Sequence, residues 1–216
     1  DVRVRRAVAH SIDRDGIVKS LVQGESIVVN SLCFPSQFGC TQDVPNYDYN
    51  PEKAKKLLAE AGYPNGFEIP FLAYRNRDYA EAMINNLNAV GIKAKLEYLK
   101  YAAFRDKVQS GGSPFNFGTW GSYSINDVSA ITSHFQSGGK DDYSKDPEVI
   151  KQLGIGDTSV DANVRKAAYK AALSRITGEV FMFPLWSYNT WYAFSKDVDF
   201  NPTPDEIPRF FTAKWM

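Results

Sequence analysis

Residues 50–99 constrain this chain most, because they switch cleanly between helix and strand periodicity. Asn50 is a helix-capping residue and Pro51 suits a first helical position. Ala54, Leu57, Leu58 and Ala61 then recur on one face, and Gly62 with Pro64-Asn65-Gly66 stops the helix and turns the chain. Phe67–Tyr74 reads as a strand. Residues 77–90 return to helical spacing, with Ala80, Met83, Ile84 and Leu87 on one side and Gly91 at the end. Ile92, Ala94, Leu96 and Tyr98 alternate with polar residues, as in a half-buried strand over 92–99. Helix–strand alternation of this kind predicts an α/β fold in which helices flank a sheet.

The flanks extend the pattern. Val4, Ala7, Val8 and Ile12 predict a helix over 3–12. Asp13 caps a second helix carrying Ile17, Val18, Leu21 and Val22, which ends before Gly24. Residues 25–49 read as a long irregular connection, strand-like from Ser26 to Asn30. Further along come a short helix near 101–110, a strand over Phe115–Trp120, a helix over 126–136, and a helix from Pro147 to Leu153. Asp161 then caps a helix with Val164, Ala168, Ala172 and Ile176 on one face. Val180–Trp186 and Thr190–Phe194 are aromatic, β-like runs, and 201–208 should be loop.

Composition narrows the function classes. The chain holds 25 Lys plus Arg against 25 Asp plus Glu, without the basic excess of a nucleic-acid binder. No apolar run approaches the ~18 residues of a membrane span. Aromatic residues reach 14%, a surplus that serves either a binding cleft or a large core. Cys33 and Cys40 lie in a Pro/Gly/Ser-rich loop, as a local disulfide or as two free thiols; no further ligand set completes a metal site, and no cofactor is expected. The two histidines, His10 and His134, read as surface or capping residues. Gly154-Ile155-Gly156 lacks the third glycine of a dinucleotide loop and follows a helix. With no Gly-x-Ser-x-Gly elbow, a hydrolase on an α/β scaffold is the weakest alternative.

The binding signal is Trp120-Gly121-Ser122-Tyr123-Ser124-Ile125-Asn126-Asp127. It follows a strand and precedes a helix, where open α/β sheets hold their ligands. Asp127 either faces a ligand or caps the next helix. Arg75 and Arg77 flank the end of the 67–74 strand; each could hold a carboxylate in a bidentate fork or lie on the surface. Trp186 and Tyr188 either line a cleft or fill a core.

Six segments in order resemble the peptide/nickel-type solute-binding proteins of bacterial ABC importers, family 5. They are VRRAVAHSID (4–13), YNPEKAKKLLAEAG (49–62), the Gly91–Ala94 strand entry, FGTWGS (117–122), HFQSGGKDDYSKDPEV (134–149) and VRKAAYKAALSRI (164–176) leading to Phe183-Pro184-Leu185. The resemblance implies a carboxyl-terminal portion of such a protein, the second lobe of a type II periplasmic clamp with a mixed sheet flanked by helices. It places lobe two at 1–184 and a hinge crossing with a remnant of lobe one at 185–216, the first lobe preceding Asp1. It implies a monomeric, non-enzymatic receptor, periplasmic or anchored outside the cell. That receptor closes over a short peptide or related solute and passes it to a membrane permease. Opine, sugar or metal-chelate binding, or a sensory or chaperone-like role, uses the same clamp. In such relatives an aspartate three residues after the Trp holds the peptide amine; here that residue is Tyr123.

Overall fold

The computed structural model describes residues 1–22, 24–122, 125–203 and 207–216. The chain opens with helices α1 (Val2–Ser11) and α2 (Arg14–Ser20), followed after a long connection by α3 (Pro51–Glu60). Side-chain caps explain where these helices start. Asp1 accepts from the Arg3 amide, Asp13 from Gly16 and Asn50 from Lys53, at 2.8, 2.9 and 3.0 Å. Strand β1 (Phe67–Ala73), helix α4 (Arg77–Ala89) and strand β2 (Ile92–Tyr98) form a β–α–β unit. The strands pair in parallel from Phe67↔Ile92 to Ala73↔Tyr98. Helix α5 (Tyr101–Gln109) leads to the short strand β3 (Asn116–Phe117), which joins the other edge of β1, also in parallel. The sheet order is therefore β2-β1-β3.

The pleat sorts the core. Phe71, Ala73, Ile92 and Ala94 face one side, where they pack with α1, α3 and α4 through Ala7, Ala54, Leu58, Ala80, Met83 and Leu87. Leu72 faces the other side and packs beneath α5 with Phe104 and Val108. Tight turns permit the β1–β2 pairing. Gly66 and Gly91 both take left-handed backbone angles, φ +72 and +96, and approach each other so closely that only glycine fits at 66.

A second cluster joins α7 (Pro147–Thr158) to α8 (Ala162–Gly178), with α6 (Ser129–Phe135) and the 32–40 loop against it. Helix α7 runs past the expected end at Leu153. Gly154 and Gly156 are helical, and a Cβ at 156 would stand 2.5 Å from the Tyr169 ring, so the missing side chain lets α8 close on α7. The buried face of α8 is Ala168, Tyr169, Ala172, Leu173, Ile176 and Thr177; Val164, expected on that face, is exposed at the helix start. The Asp146 cap also pairs with Arg175 of α8 at 2.7 Å, and that guanidinium bond holds its carboxyl at about 2.

Three further expectations differ from the structure. The 115–120 strand shrinks to β3, because beyond Phe117 the chain leaves the sheet edge. Helix α6 starts at Ser129 rather than 126, because the Phe38 backbone bonds residues 126 and 128. Neither aromatic run after Val180 forms a strand. Only Trp186 bridges, antiparallel to Val28, flanked by Val29 N–H to Leu185 O and Ser187 N–H to Ile27 O. The described tail instead carries a small antiparallel pair, β4 (Val198–Asp199) with β5 (Lys214–Trp215). Tyr192, Phe194, Phe200 and Phe210 cluster beside it; Phe194 and Phe210 remain exposed there, as do Trp191, Phe211 and Trp215.

Arg14 is 6% exposed and ties the Pro184 backbone to the connection between α2 and α3. Its guanidinium donates to the backbone oxygens of Val29, Pro184 and Tyr47 and to the side-chain oxygens of Asn30 and Asn46, all at 2.9–3.2 Å. It also lies 4.8 Å from the Phe183 ring centre. Burial lowers its pKa from the usual arginine value. His10, expected at the surface or as a cap, is 2% exposed, with Nδ1 2.8 Å from the Asp48 carbonyl and its ring edge-on to Tyr47.

Candidate functional site

The carboxyl ends of β1 and β3 share one rim of the sheet. Tyr74 and Arg75 leave β1 there, and Gly118 to Ser122 leave β3. The Thr119 hydroxyl joins the two, 3.0 Å from the Tyr74 hydroxyl and 2.9 Å from Arg75 Nη1. Arg75 is exposed, and among the described residues no carboxylate lies within ion-pairing distance of it. Asn76, in the left-handed region at φ +51, turns the chain into α4 and accepts a 2.9 Å bond from the Tyr188 hydroxyl. Desolvation of that hydroxyl raises the Tyr188 pKa well above the usual phenol. The rim thus offers one cation, two hydroxyl-bearing rings and a threonine.

Next to it stands an aromatic and ionic wall. The Trp120 indole stacks on His134 with ring centres 4.2 Å apart, and its N–H donates to the Ala130 carbonyl at 3.2 Å. His134 Nε2 lies 3.3 Å from Asp141 Oδ2. Arg105 grips Asp141 with both terminal guanidinium nitrogens, at 2.6 and 2.9 Å, and Gln109 adds a further bond. Burial alone would raise the Asp141 pKa; these donors outweigh it and hold the carboxyl below the usual range. The carboxylate is thereby saturated and serves to fix the wall.

Rim and wall open onto a cleft of about 1450 Å³, larger than an ordinary small-molecule pocket. Trp120, Gly121, Ser122, Trp186 and Tyr188 line it. Trp186 is 7% exposed, so it belongs to core and cleft wall together, with Tyr79 edge-on at 5.7 Å. Three expected site residues do not line the cleft. Arg75 sits at its edge through Thr119. Arg77 points along α4 to Glu81 at 2.7 Å. Asp127 takes up the start of α6, accepting from the Ser129 amide at 3.0 Å and from Arg165 at 2.7 Å. Burial raises and these bonds lower the Asp127 pKa, with a net fall. Tyr123 and Ser124 lie outside the described residues.

The sequence reading missed Phe34, Gln37, Tyr101 and Tyr143, which also line the cleft. Phe34 and Gln37 come from the loop between Cys33 and Cys40, which are joined in a disulfide. An aromatic in a short loop bounded by two cysteines was the available signal. Among the described residues no three His, Cys, Asp or Glu side chains gather as a metal site, and no helix is long and apolar enough to cross a membrane.

Residues 1–142 match the profile of the bacterial extracellular solute-binding proteins, family 5 middle region. The dipeptide-binding protein of Escherichia coli K12 is 37% identical over 116 residues, which span 47% of this chain and 22% of that protein. HbpA2 from Haemophilus parasuis superposes over the whole chain with a TM-score of 0.87 and 26% identity. The present chain spans 45% of its length. The binding protein AgaA of A. tumefacien R10, solved with agropinic acid, superposes over 86% of the chain and 40% of its own, with a TM-score of 0.75 and 28% identity.

Proposed function

Because the chain belongs to family 5 of the bacterial extracellular solute-binding proteins, we propose that it forms the second lobe of a clamp that captures a short peptide or a related carboxylate-bearing solute. In this reading residues 1–184 are lobe two, and 185–216 cross a hinge toward a first lobe supplied from outside 1–216. The clamp closes over the solute and delivers it to an ABC permease, without catalysis, in the periplasm or anchored outside the cell.

The observation that carries the reading is the cleft at the carboxyl ends of β1 and β3, with Arg75 and Thr119 at its edge and Trp120 on its wall. Strand ends of an open α/β sheet are where such folds hold ligands. A guanidinium with no carboxylate partner is suited to a solute carboxylate. A dipeptide and agropinic acid, named for two relatives, both carry one. The exposed Trp191, Phe211 and Trp215 fit a tail made to be covered by another part of the protein.

Calorimetric titration of the two-lobed protein with dipeptides, free and capped as carboxyl-terminal amides, tests this. The free acids should bind at least tenfold tighter than their amides, and Arg75→Ala should erase most of that ratio. Arg77→Ala should leave it, because that side chain is engaged with Glu81. No binding by dipeptides, opines or oligosaccharides would contradict the solute reading.

A further inference from the structure

The loop closed by Cys33–Cys40 lies between the cleft and the α7–α8 body. Toward the cleft it presents Phe34, Ser36 and Gln37. Toward the segment that follows β3 it makes three bonds. The Phe38 amide donates to the Asn126 carbonyl and the Phe38 carbonyl accepts from the Val128 amide, both at 3.0 Å. Gln37 Nε2 reaches the Ile125 carbonyl at 3.3 Å. Ile125 and Asn126 themselves line the cleft.

The loop is held from behind as well. The Arg165 guanidinium lies 4.7 Å from the Phe38 ring centre and bonds Asp127, the residue between the two that Phe38 pins. Gly39 takes φ +78, and a Cβ there would stand 2.4 Å from the Tyr169 ring. Tyr169 is fully buried, with its hydroxyl bonded to Asp157 and Arg165 at 2.8 and 2.9 Å. Cys33 packs into the same core. The disulfide thus closes an eight-residue ring whose cleft side is held by Gln37 and Phe38.

We propose that the Cys33–Cys40 loop is the positioning strut of the solute cleft. Closing the disulfide fixes Phe38 against Arg165 and Gly39 against Tyr169, and Phe38 in turn fixes the backbone on either side of Asp127, where Asn126 lines the cleft. Cleft geometry is thereby coupled to the oxidation state of two cysteines, of which Cys33 itself lines the cleft. The proposal rests on the cleft being the solute site, as argued above.

Hydrogen exchange of the oxidised chain, compared with Cys33→Ser/Cys40→Ser and with Gly39→Ala, tests it. Gly39→Ala keeps the disulfide and displaces the loop from Tyr169. In both variants the amides over 126–131 should exchange at least tenfold faster, while those of β1, β2 and α4 keep their rates. Unchanged exchange over 126–131 in either variant would overturn the proposal, as would a rise of the same factor throughout the chain. The readout needs no solute, so it stands apart from the titration that tests the solute reading.

Discussion

Replacing Arg14 with methionine should cost the chain about 3 kcal/mol, read as a lower urea midpoint at unchanged slope. Methionine restores much of the volume, so the loss is chiefly of hydrogen bonds. Five oxygens lose a bond at once, Asn46 Oδ1 keeping a second donor in the Tyr47 amide, and the bonds to Pro184 and Tyr47 are buried. A buried acceptor left unpaired costs ~1–3 kcal/mol. Acceptors nearer the surface, on Asn30 and Asn46, can turn to water. Some of the loss is offset because a buried guanidinium no longer has to be desolvated, the same cost that lowers its pKa. Arg14→Lys should fall between, since an ammonium cannot span oxygens on both sides of a planar fork. A methionine variant within about 0.5 kcal/mol of wild type, the usual scatter of surface substitutions, would show that Arg14 does not hold these segments together.

Gly66→Ala should be comparably damaging for a different reason. The left-handed backbone at 66 costs an alanine roughly 1–2 kcal/mol. Its Cβ would also stand 1.8 Å from the Gly91 carbonyl oxygen, a backbone atom that cannot swing aside. That carbonyl accepts from the Phe67 amide at 3.3 Å, at the entry to the β1–β2 pairing, so the shift spreads into the register. The total should exceed ~3 kcal/mol, within the range of overpacked sites plus backbone strain. Gly62→Ala is the internal control. It shares the left-handed backbone, at φ +92, but nothing lies within 4 Å of its Cβ, so only the backbone cost applies. Equal denaturation midpoints for the two variants would contradict the clash argument.

The sequence made the helices readable because their ends are chemically marked. Asp13, Asn50 and Asp161 all cap as their position suggests. Alternation at Ile92, Ala94, Leu96 and Tyr98 likewise placed β2. Elements settled by distant partners were harder to read. The aromatic run Val180–Trp186 has strand composition, yet among the described residues its sheet-like pairing is confined to Ile27–Val29. Gly154 and Gly156 look like a helix end, and only contact with Tyr169 shows why they continue one.

The site divided in the same way. The cleft positions of Trp120, Gly121 and Ser122 were legible because these residues follow a strand. Asp127 was ambiguous because a carboxylate before a helix can bind or cap, and Arg165, 38 residues away, decides its use. The cleft role of Phe34 and Gln37 depends on a loop docking across the fold, which no local pattern encodes.

The central claim is that this fold is half of a solute clamp. Native mass spectrometry of the two-lobed protein, purified without refolding, tests it most directly. The account predicts a protein peak accompanied by one adduct of small-molecule mass, which is lost on unfolding and identified as a carboxylate-bearing solute. A single bare mass that gains no adduct when dipeptides or opines are added in excess would contradict it.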